Sequence, residues 1–156
     1  MFKDNKFDLE YDTPVMSGHL DGAKQKIAIV LSSYNHDISK GLLEGSLRGL
    51  EECQVLKENV SVFSVQGAVE IPIIAQKIAD QSMVDCIICL GCVIKGDTAH
   101  FEYVSSFVTD GISRLSLDYK IPLIFGVLMT YNLDQAILRS TNNKQNKGYE
   151  SALTAV

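Results

Sequence analysis

Four short apolar runs, each followed by a stretch with helical periodicity, limit the fold of this chain most strongly. The runs occupy residues 27–31, 60–65, 86–94 and 122–128. They are nearly all apolar, which is typical of strands whose two faces are both buried. The order strand, helix, strand, helix favours parallel strands, because each helix returns the chain to the starting edge of the sheet.

The stretches between the runs predict helices. Pro72 falls in the first turn of a helix that should begin near Glu70. Asn132 and Gln135 resemble a capping signal for a short helix ending near Ser140, and a polar loop at 141–148 precedes the last helix. We therefore predict a flavodoxin-like three-layer α/β/α sandwich with a four-stranded parallel sheet. The residues of the main helical stripes are Ile38, Leu42, Leu43, Leu47, Leu50, Phe101, Val104, Val108, Ile112, Leu115, Tyr149, Ala152, Leu153 and Val156.

The composition suits one compact domain, since 156 residues that are 46% hydrophobic can bury a core. Residues 1–24 are polar and lack a sustained period, so we expect an N-terminal arm outside the core and a domain over residues 25–156. A net charge of −5 without a dense basic cluster argues against nucleic acid as a partner. No apolar run approaches the length of a membrane span, and we expect a cytoplasmic protein without a membrane partner.

Three cysteines, Cys86, Cys89 and Cys92, have a spacing that suggests metal ligands, C-x-x-C-x-x-C. They lie in the third apolar run, where successive side chains of a strand point to opposite faces, so Cys89 should face away from the other two. One metal ion could not bind all three from a strand. We therefore predict no metal site and interpret these thiols, with Cys53, as small buried apolar side chains in a reducing compartment.

Ligands of parallel sheets gather at the carboxyl ends of the strands, where the stretches SSYNHD, VQGAVE, KGDTAH and MTYN lie. In the third stretch a glycine turn leads into a helix, whose first N–H groups are free to bind an anion. His100 would lie beside them in the first helical turn, which suggests proton transfer next to a phosphate. An ordinary turn with Asp97 or Thr98 as the N-cap and a solvated histidine is the alternative.

Sequence fingerprints of other ligands are missing at these ends. No G-x-G-x-x-G follows a strand, no G-x-x-x-x-G-K occurs, and the first run is followed neither by the acidic residues of a receiver domain nor by a glycine-containing phosphate loop. What remains is the aromatic ring of Tyr34, the carboxylate of Glu70 after a turn, and the anion cradle with His100. Each has a structural explanation of its own, but together they favour a site for a polyol-bearing heterocycle and a small phosphate ester.

A series of motifs follows in order along the chain from residue 27 to residue 153: SYNHDIS, LLEGSLRGL, VQGAVEIP, LGCVIKGDTAHFEYV, IPLIFGVLMT, QAILRS and NKGYESAL. With these motifs the chain resembles the lumazine synthases, the 6,7-dimethyl-8-ribityllumazine synthase family of riboflavin biosynthesis. The resemblance implies a transferase that condenses 5-amino-6-(D-ribitylamino)uracil with 3,4-dihydroxy-2-butanone 4-phosphate in the penultimate step of that pathway. It also implies release of phosphate and water, without a metal or organic cofactor.

The resemblance also implies residue roles. His100 would be the catalytic proton shuttle, Tyr34 would stack on the pyrimidine, Glu70 would accept hydrogen bonds from the ribityl chain, and Asp97 and Thr98 would bind phosphate. The other positions implied to bind substrate are Asn35, Gly67, Ala68, Val69, Val93, Ile94, Lys95, Phe125, Arg139 and Lys147.

In the family, Phe125, Arg139 and Lys147 would come from the adjacent subunit of a pentamer, with Arg139 pairing with the phosphate. The resemblance leaves open whether such a homo-oligomer stops at a pentamer, pairs as a decamer or closes into a sixty-subunit shell. Riboflavin synthase is a candidate partner.

The chain departs from the family pattern at several positions. Gln66 stands where proline is frequent and Val69 where an aromatic residue is frequent, so the pocket wall should differ in shape. A family lysine is displaced from Asn143 to Lys144, which leaves its role toward phosphate open. A non-catalytic flavin or lumazine carrier on the same fold is the alternative function. The intact His100 and Arg139 favour catalysis, because a carrier needs neither a base nor a cation for phosphate.

Overall fold

The computed structural model of the protein describes residues 18–143 and 145–156. Four strands alternate with helices along the chain, and the last two helices follow each other directly. Two 3₁₀ turns, Lys57–Asn59 and Ala68–Glu70, precede β2 and α2. The elements are β1 (Ile27–Ser32), α1 (His36–Glu52), β2 (Val60–Val65), α2 (Ile71–Asp80), β3 (Cys86–Ile94), α3 (His100–Tyr119), β4 (Leu123–Thr130), α4 (Leu133–Ser140) and α5 (Lys147–Ala155).

All four strands pair in parallel in the order β2-β1-β3-β4. The chain therefore starts near the centre of the sheet, builds outward to β2 and then crosses to the other side of β1 to form β3. The strand order reverses between the neighbours β1 and β3, and α/β sheets bind ligands at the carboxyl ends of the strands at such a point. Helices cover both faces, and the predicted flavodoxin-like sandwich with a four-stranded parallel sheet is confirmed.

Strand alternation divides the apolar residues into two core layers. One layer packs α1, α4 and α5 against one face of the sheet, and the other packs α2 and α3 against the opposite face. Cys86 and Cys92 belong to the first layer and Cys89 to the second, so the prediction that these side chains face in opposite directions is confirmed. Burial raises the pKa of Cys86 to about 12 and that of Cys92 to about 11, and it raises the pKa of Cys89 as well.

Burial of the strands is less complete than the apolar pattern predicts. Because β2 is an edge strand, most of its side chains are exposed, and Val62 and Phe63 are its large apolar examples. At the opposite edge, β4 runs two residues beyond the predicted end, since Thr130 pairs with Ile94 of β3. The β2 edge of the sheet therefore presents side chains that a partner could cover.

The helix ends follow local capping chemistry. The Asn132 side chain accepts a hydrogen bond from the Gln135 N–H at 2.9 Å, which confirms the predicted cap of α4. The predicted last loop is too long, because α5 begins at Lys147 rather than at Tyr149. The reason is Asn146, whose carboxamide oxygen accepts a hydrogen bond from the Tyr149 N–H at 3.0 Å and caps the helix two residues early.

Helices α1 and α5 approach each other closely at glycine. A Cβ atom at Gly148 would overlap the main-chain oxygen of Leu42, and one at Gly49 would lie 2.7 Å from the Cβ atom of Ala152. Asn146 is 1% exposed and donates hydrogen bonds to the main-chain oxygens of Gly41, at 3.1 Å, and Ser140, at 2.8 Å. This contact fixes α5, and with it the junction between α4 and α5, against α1.

The predicted N-terminal arm falls largely on residues 1–17, which lie outside the described residues, as does Lys144. Closer to the domain, Gly22 is buried and its N–H donates to the Cys53 main-chain oxygen at 2.7 Å. Among the described residues, no helix combines the length and apolar character that crossing a membrane requires.

Candidate active site

Two loops meet where β1 and β2 end. The Ser33 N–H donates to the main-chain oxygen of Val65 at 2.8 Å, and the Tyr34 N–H donates to that of Gln66 at 3.1 Å. These bonds extend the strand pairing beyond the sheet and bring the loop of Tyr34 beside the turn at Gly67. The Tyr34 side chain is 67% exposed. A flat ligand could therefore stack on its ring.

Asn35 connects the same loop to the third strand. It adopts a left-handed conformation, with φ 56° and ψ 55°, which asparagine tolerates better than most residues. Its carboxamide nitrogen donates to the main-chain oxygen of Cys92 at 3.0 Å. The loop that carries Tyr34 is thereby tied to both neighbours of β1.

The turn after β2 places a carboxylate at the sheet edge. The Glu70 Oε2 atom accepts a hydrogen bond from the Gly67 N–H at 2.8 Å, which closes the turn into the 3₁₀ segment. Ala68 is buried beneath it, whereas Val69 and Glu70 are exposed. One carboxylate oxygen is used inside the turn, and the other can accept a hydrogen bond from a ligand hydroxyl.

The turn between β3 and α3 contains the predicted anion cradle. The Lys95 N–H donates to the main-chain oxygen of Thr130 at 2.8 Å, so β4 anchors the start of the turn. Val93 and Ile94, at the end of β3, are half-buried, and residues 95–100 are all exposed. His100 is the first residue of α3, as predicted.

The N-cap of α3 differs from the alternative prediction of Asp97 or Thr98. Ala99 occupies that position and offers no capping side chain. The hydroxyl oxygen of Thr98 accepts only a long hydrogen bond, 3.4 Å, from the His100 N–H. The helix begins one residue later than a Thr98 cap predicts and two residues later than an Asp97 cap predicts. Its first N–H groups therefore have little hydrogen bonding from the side chains that precede them.

Gly96 has no structural reason of its own to be glycine. A Cβ atom there would meet nothing within 4 Å, and no described glycine has a positive φ. Neither internal space nor backbone strain requires this residue. Close approach of a ligand or of another chain to the backbone is the remaining physical reason for a glycine in a turn.

A cation and two aromatic rings lie beside the cradle. The Lys95 Nζ atom is 2.6 Å from Glu102 Oε1 and lies over the rings of Phe101 and Tyr131, 5.7 and 5.9 Å from their centroids. The hydrogen bond between the two charged groups raises the pKa of Lys95 and lowers the pKa of Glu102. Both groups therefore stay ionised over a wider pH range than when they are apart.

Three of the predicted residues are not bonded to this group. Phe125 is paired with Cys89, five residues before the end of β3, which places it roughly 17 Å along the strand direction from the cradle. Arg139 and Lys147 both contact the Glu150 carboxylate, at 3.6 and 3.3 Å. Within residues 18–143 and 145–156, no hydrogen bond or ion pair links this cluster to His100 or to the turn before it.

A family model, 6,7-dimethyl-8-ribityllumazine synthase, matches residues 24–156. The chain belongs to this family. Lumazine synthases are transferases of riboflavin biosynthesis, and the match confirms the family, the enzyme class and the pathway that the sequence predicts. The motifs of the resemblance all lie within the matched residues.

The geometry divides the site residues predicted from the sequence into two groups. The carboxyl edge of the sheet brings together most of them, and hydrogen bonds tie the loop after β1 to the loop after β2 and to β3 itself. The residues of this group are Tyr34, Asn35, Gly67, Ala68, Val69, Glu70, Val93, Ile94, Lys95, Asp97, Thr98 and His100. The second group is the three separate residues of β4, α4 and α5.

One cavity of the described chain does not coincide with the predicted site residues. It has a volume of about 630 Å³, lies between α1 and the junction of α4 and α5, and includes Asp37, Lys40, Arg48 and Asn142 in its lining. None of the predicted site residues lines it. Most of the predicted site residues at the sheet edge are exposed instead.

Sequence reasoning missed Glu102, Tyr131 and Glu150. Lys95 precedes α3, which contains Glu102, and Arg139 and Glu150 lie in different helices. Helical spacing rules therefore do not relate the members of either pair. Opposite charges on the two sides of a predicted turn, KGDTAHFE, were the one available signal for the first pair.

Proposed function

We propose that the protein condenses 5-amino-6-(D-ribitylamino)uracil with 3,4-dihydroxy-2-butanone 4-phosphate to 6,7-dimethyl-8-ribityllumazine. The observation that carries this proposal is the position of His100 at the start of α3, directly after an exposed glycine turn and on the same sheet edge as Tyr34 and Glu70. Such an edge can hold a flat ring, a polyol and an anion side by side. Membership of the lumazine synthase family supports these substrates.

The pyrimidine and its ribityl chain would occupy the loops after β1 and β2. Tyr34 would stack on the ring, and Asn35 would border it. Gly67, Ala68 and Val69 would line the ribityl chain, while the free oxygen of Glu70 accepts hydrogen bonds from its hydroxyl groups. Val93 and Ile94 would form the apolar floor between this region and the cradle.

The phosphate ester would occupy the turn after β3. Asp97 and Thr98 would bind its phosphate through their main-chain N–H groups and the Thr98 hydroxyl, and the start of α3 adds a partial positive charge. Lys95, whose ammonium group pairs with Glu102, would border the bound ester at the start of this turn. The reacting carbon atoms would then lie next to His100.

His100 would move the protons of the reaction. The 5-amino group attacks the ketone carbonyl, and water leaves as the imine forms. Removal of a proton from the neighbouring carbon expels phosphate and leaves an enol, which takes up a proton at its terminal carbon to become a methyl ketone. The ribityl-bearing nitrogen attacks this ketone and closes the ring with loss of a second water. Each step needs a proton to be taken up or released beside the phosphate, which accounts for a base next to the cradle.

We further propose that Phe125, Arg139 and Lys147 act in the site of an adjacent subunit. The position of Phe125 far from the cradle, the open edge around His100 and the exposed apolar side chains support a homo-oligomer, in the form of a pentamer. Arg139 would neutralise the phosphate from across the interface. Riboflavin synthase, which would consume the product, is the proposed partner, and the four buried free thiols support a cytoplasmic location.

Incubation with both substrates tests this function, with lumazine absorbance and phosphate release followed in parallel. Equal amounts of lumazine and phosphate, formed faster than in a protein-free control, are expected. Tight binding of the pyrimidine or of lumazine without turnover above that control would contradict the proposal and favour a carrier.

A further inference from the structure

The ion pair of Lys95 and Glu102 spans the anion cradle. Lys95 is the last residue before the turn at residues 96–99, and Glu102 lies in the first turn of the helix that follows it. The bond between their side chains, 2.6 Å long, therefore closes a short loop around the exposed main-chain N–H groups. No other side-chain bond joins the two ends of this turn among the described residues.

Two aromatic rings support the ammonium group. Phe101 and Tyr131 lie 6.3 Å apart between ring centroids, and the Lys95 Nζ atom is within 6 Å of both. A cation over ring faces gains electrostatic energy that does not depend on Glu102, and Tyr131 comes from the segment after β4. The Lys95 side chain therefore contacts both α3 and the segment that follows β4.

We propose that Lys95 and Glu102 are positioning residues, which act as a clip that keeps the turn at residues 96–99 in its phosphate-binding shape. This proposal rests on the proposed function, because the phosphate ester is the ligand of the turn. The ammonium group works through the turn rather than on the phosphate, since its hydrogen bond goes to the Glu102 carboxylate and it also lies over two ring faces. An anion in the cradle then binds to N–H groups that are already in place, and less ordering entropy opposes binding.

The substitution Glu102→Gln distinguishes the clip from a direct role by the sign of its effect. Loss of the clip should weaken binding of inorganic phosphate, measured by calorimetry, and raise KM for the phosphate ester by about two- to fivefold, the range expected of an exposed ion pair. KM for the pyrimidine should stay unchanged. If Lys95 were instead a phosphate ligand restrained by Glu102, the substitution would free it and phosphate would bind more tightly, which would overturn the clip.

Asp118→Asn is the matched control, because Asp118 pairs with Arg114 at 3.2 Å near the other end of the same helix. It removes the same charge from α3 and should leave phosphate binding unchanged or slightly stronger. The charge-reversed double variant Lys95→Glu with Glu102→Lys should restore part of the phosphate affinity, because the ion pair forms again while the contact of the ammonium group with the rings is lost. A direct ligand could not be replaced by a carboxylate. Failure of the reversed pair to recover affinity contradicts the clip even if Glu102→Gln does not assemble.

Amide hydrogen exchange at residues 96–99 provides a measurement that does not need turnover. It should become faster in Glu102→Gln and return toward the parent rate in the reversed pair. Unchanged exchange together with unchanged phosphate affinity refutes the clip while leaving the proposed function intact. A parent protein that neither binds phosphate nor turns over refutes both.

Discussion

The carboxamide nitrogen of Asn35 donates to the main-chain oxygen of Cys92 across 3.0 Å, while Asn35 itself holds a left-handed backbone conformation. A strained residue is thus secured by a bond to the central strand β3. The loop in question carries Tyr34, whose own N–H is bonded to Gln66 on the other side. The stacking surface proposed for the pyrimidine is therefore fixed by two neighbours in the sheet.

Substitutions of Asn35 should separate backbone strain from the side-chain bond. Asn35→Ala loses the bond and places a less tolerant residue in the left-handed conformation, so we expect the free energy of unfolding to fall by about 1–3 kcal/mol. Asn35→Gly loses only the hydrogen bond, so it should lower the free energy of unfolding by less than Asn35→Ala does. Both should raise KM for the pyrimidine. Urea unfolding and steady-state kinetics measure these effects, and equal losses for Ala and Gly would contradict the strain argument.

His100→Ala should leave substrate binding largely intact while turnover falls by about 10²-fold, at the lower end of general acid–base assistance. Part of the rate should persist, because the two reactive partners are still positioned together. The measurement is kcat with both substrates at saturation. His19→Ala, at another exposed histidine, is the control. If the two variants retain the same turnover, His100 has no catalytic role.

Gly96→Ala should affect binding but not folding. The new Cβ atom meets no other group of the chain, and alanine restricts the unfolded state, so the free energy of unfolding should stay constant or rise by up to about 1 kcal/mol. KM for the phosphate ester should increase, because the methyl group enters the space that the phosphate needs. Parent-like KM would show that no ligand approaches the backbone at this position.

Gly148→Ala should destabilise the domain without changing the chemistry of the edge. Its Cβ atom would overlap the Leu42 carbonyl, so α5 must move away from α1, and overpacking of this kind costs about 1–3 kcal/mol. Gly18→Ala, where a Cβ atom meets nothing within 4 Å, is the control. Chemical denaturation compares the two, and equal stability of both variants would mean that the helices separate freely at this contact.

The sequence predicts the fold well wherever burial on both sides leaves a strong apolar signal. The run at residues 86–94 predicts β3 with its observed bounds, because both faces of this central strand are covered. The run at 60–65 predicts a strand too, but its exposure depends on β2 lying at the edge, and strand order is a property of the whole sheet. The early start of α5 depends on a cap whose side chain is held by distant carbonyls of α1 and α4.

Sequence motifs likewise indicate the candidate site only in part. Tyr34, Glu70 and His100 follow strand ends, and parallel topology alone brings such residues to one edge. The pair of Lys95 and Glu102 depends on the conformation of the turn between them, which no residue period encodes. The proposed contacts of Arg139 with a neighbouring subunit would depend on a second chain, so neither the sequence pattern nor the fold of one chain contains them.

The central claim is that each site combines His100 of one chain with Arg139 of the next, and subunit complementation tests it most directly. His100→Ala and Arg139→Ala should each be impaired alone. After the two variants are denatured and refolded together in equal amounts, roughly a quarter of the sites should receive both intact faces, since each face comes independently from one of two chain types. Turnover well above both parents is the predicted result. Turnover equal to the average of the parents, in material shown to contain mixed oligomers, would mean that Arg139 serves its own chain and would contradict the shared site.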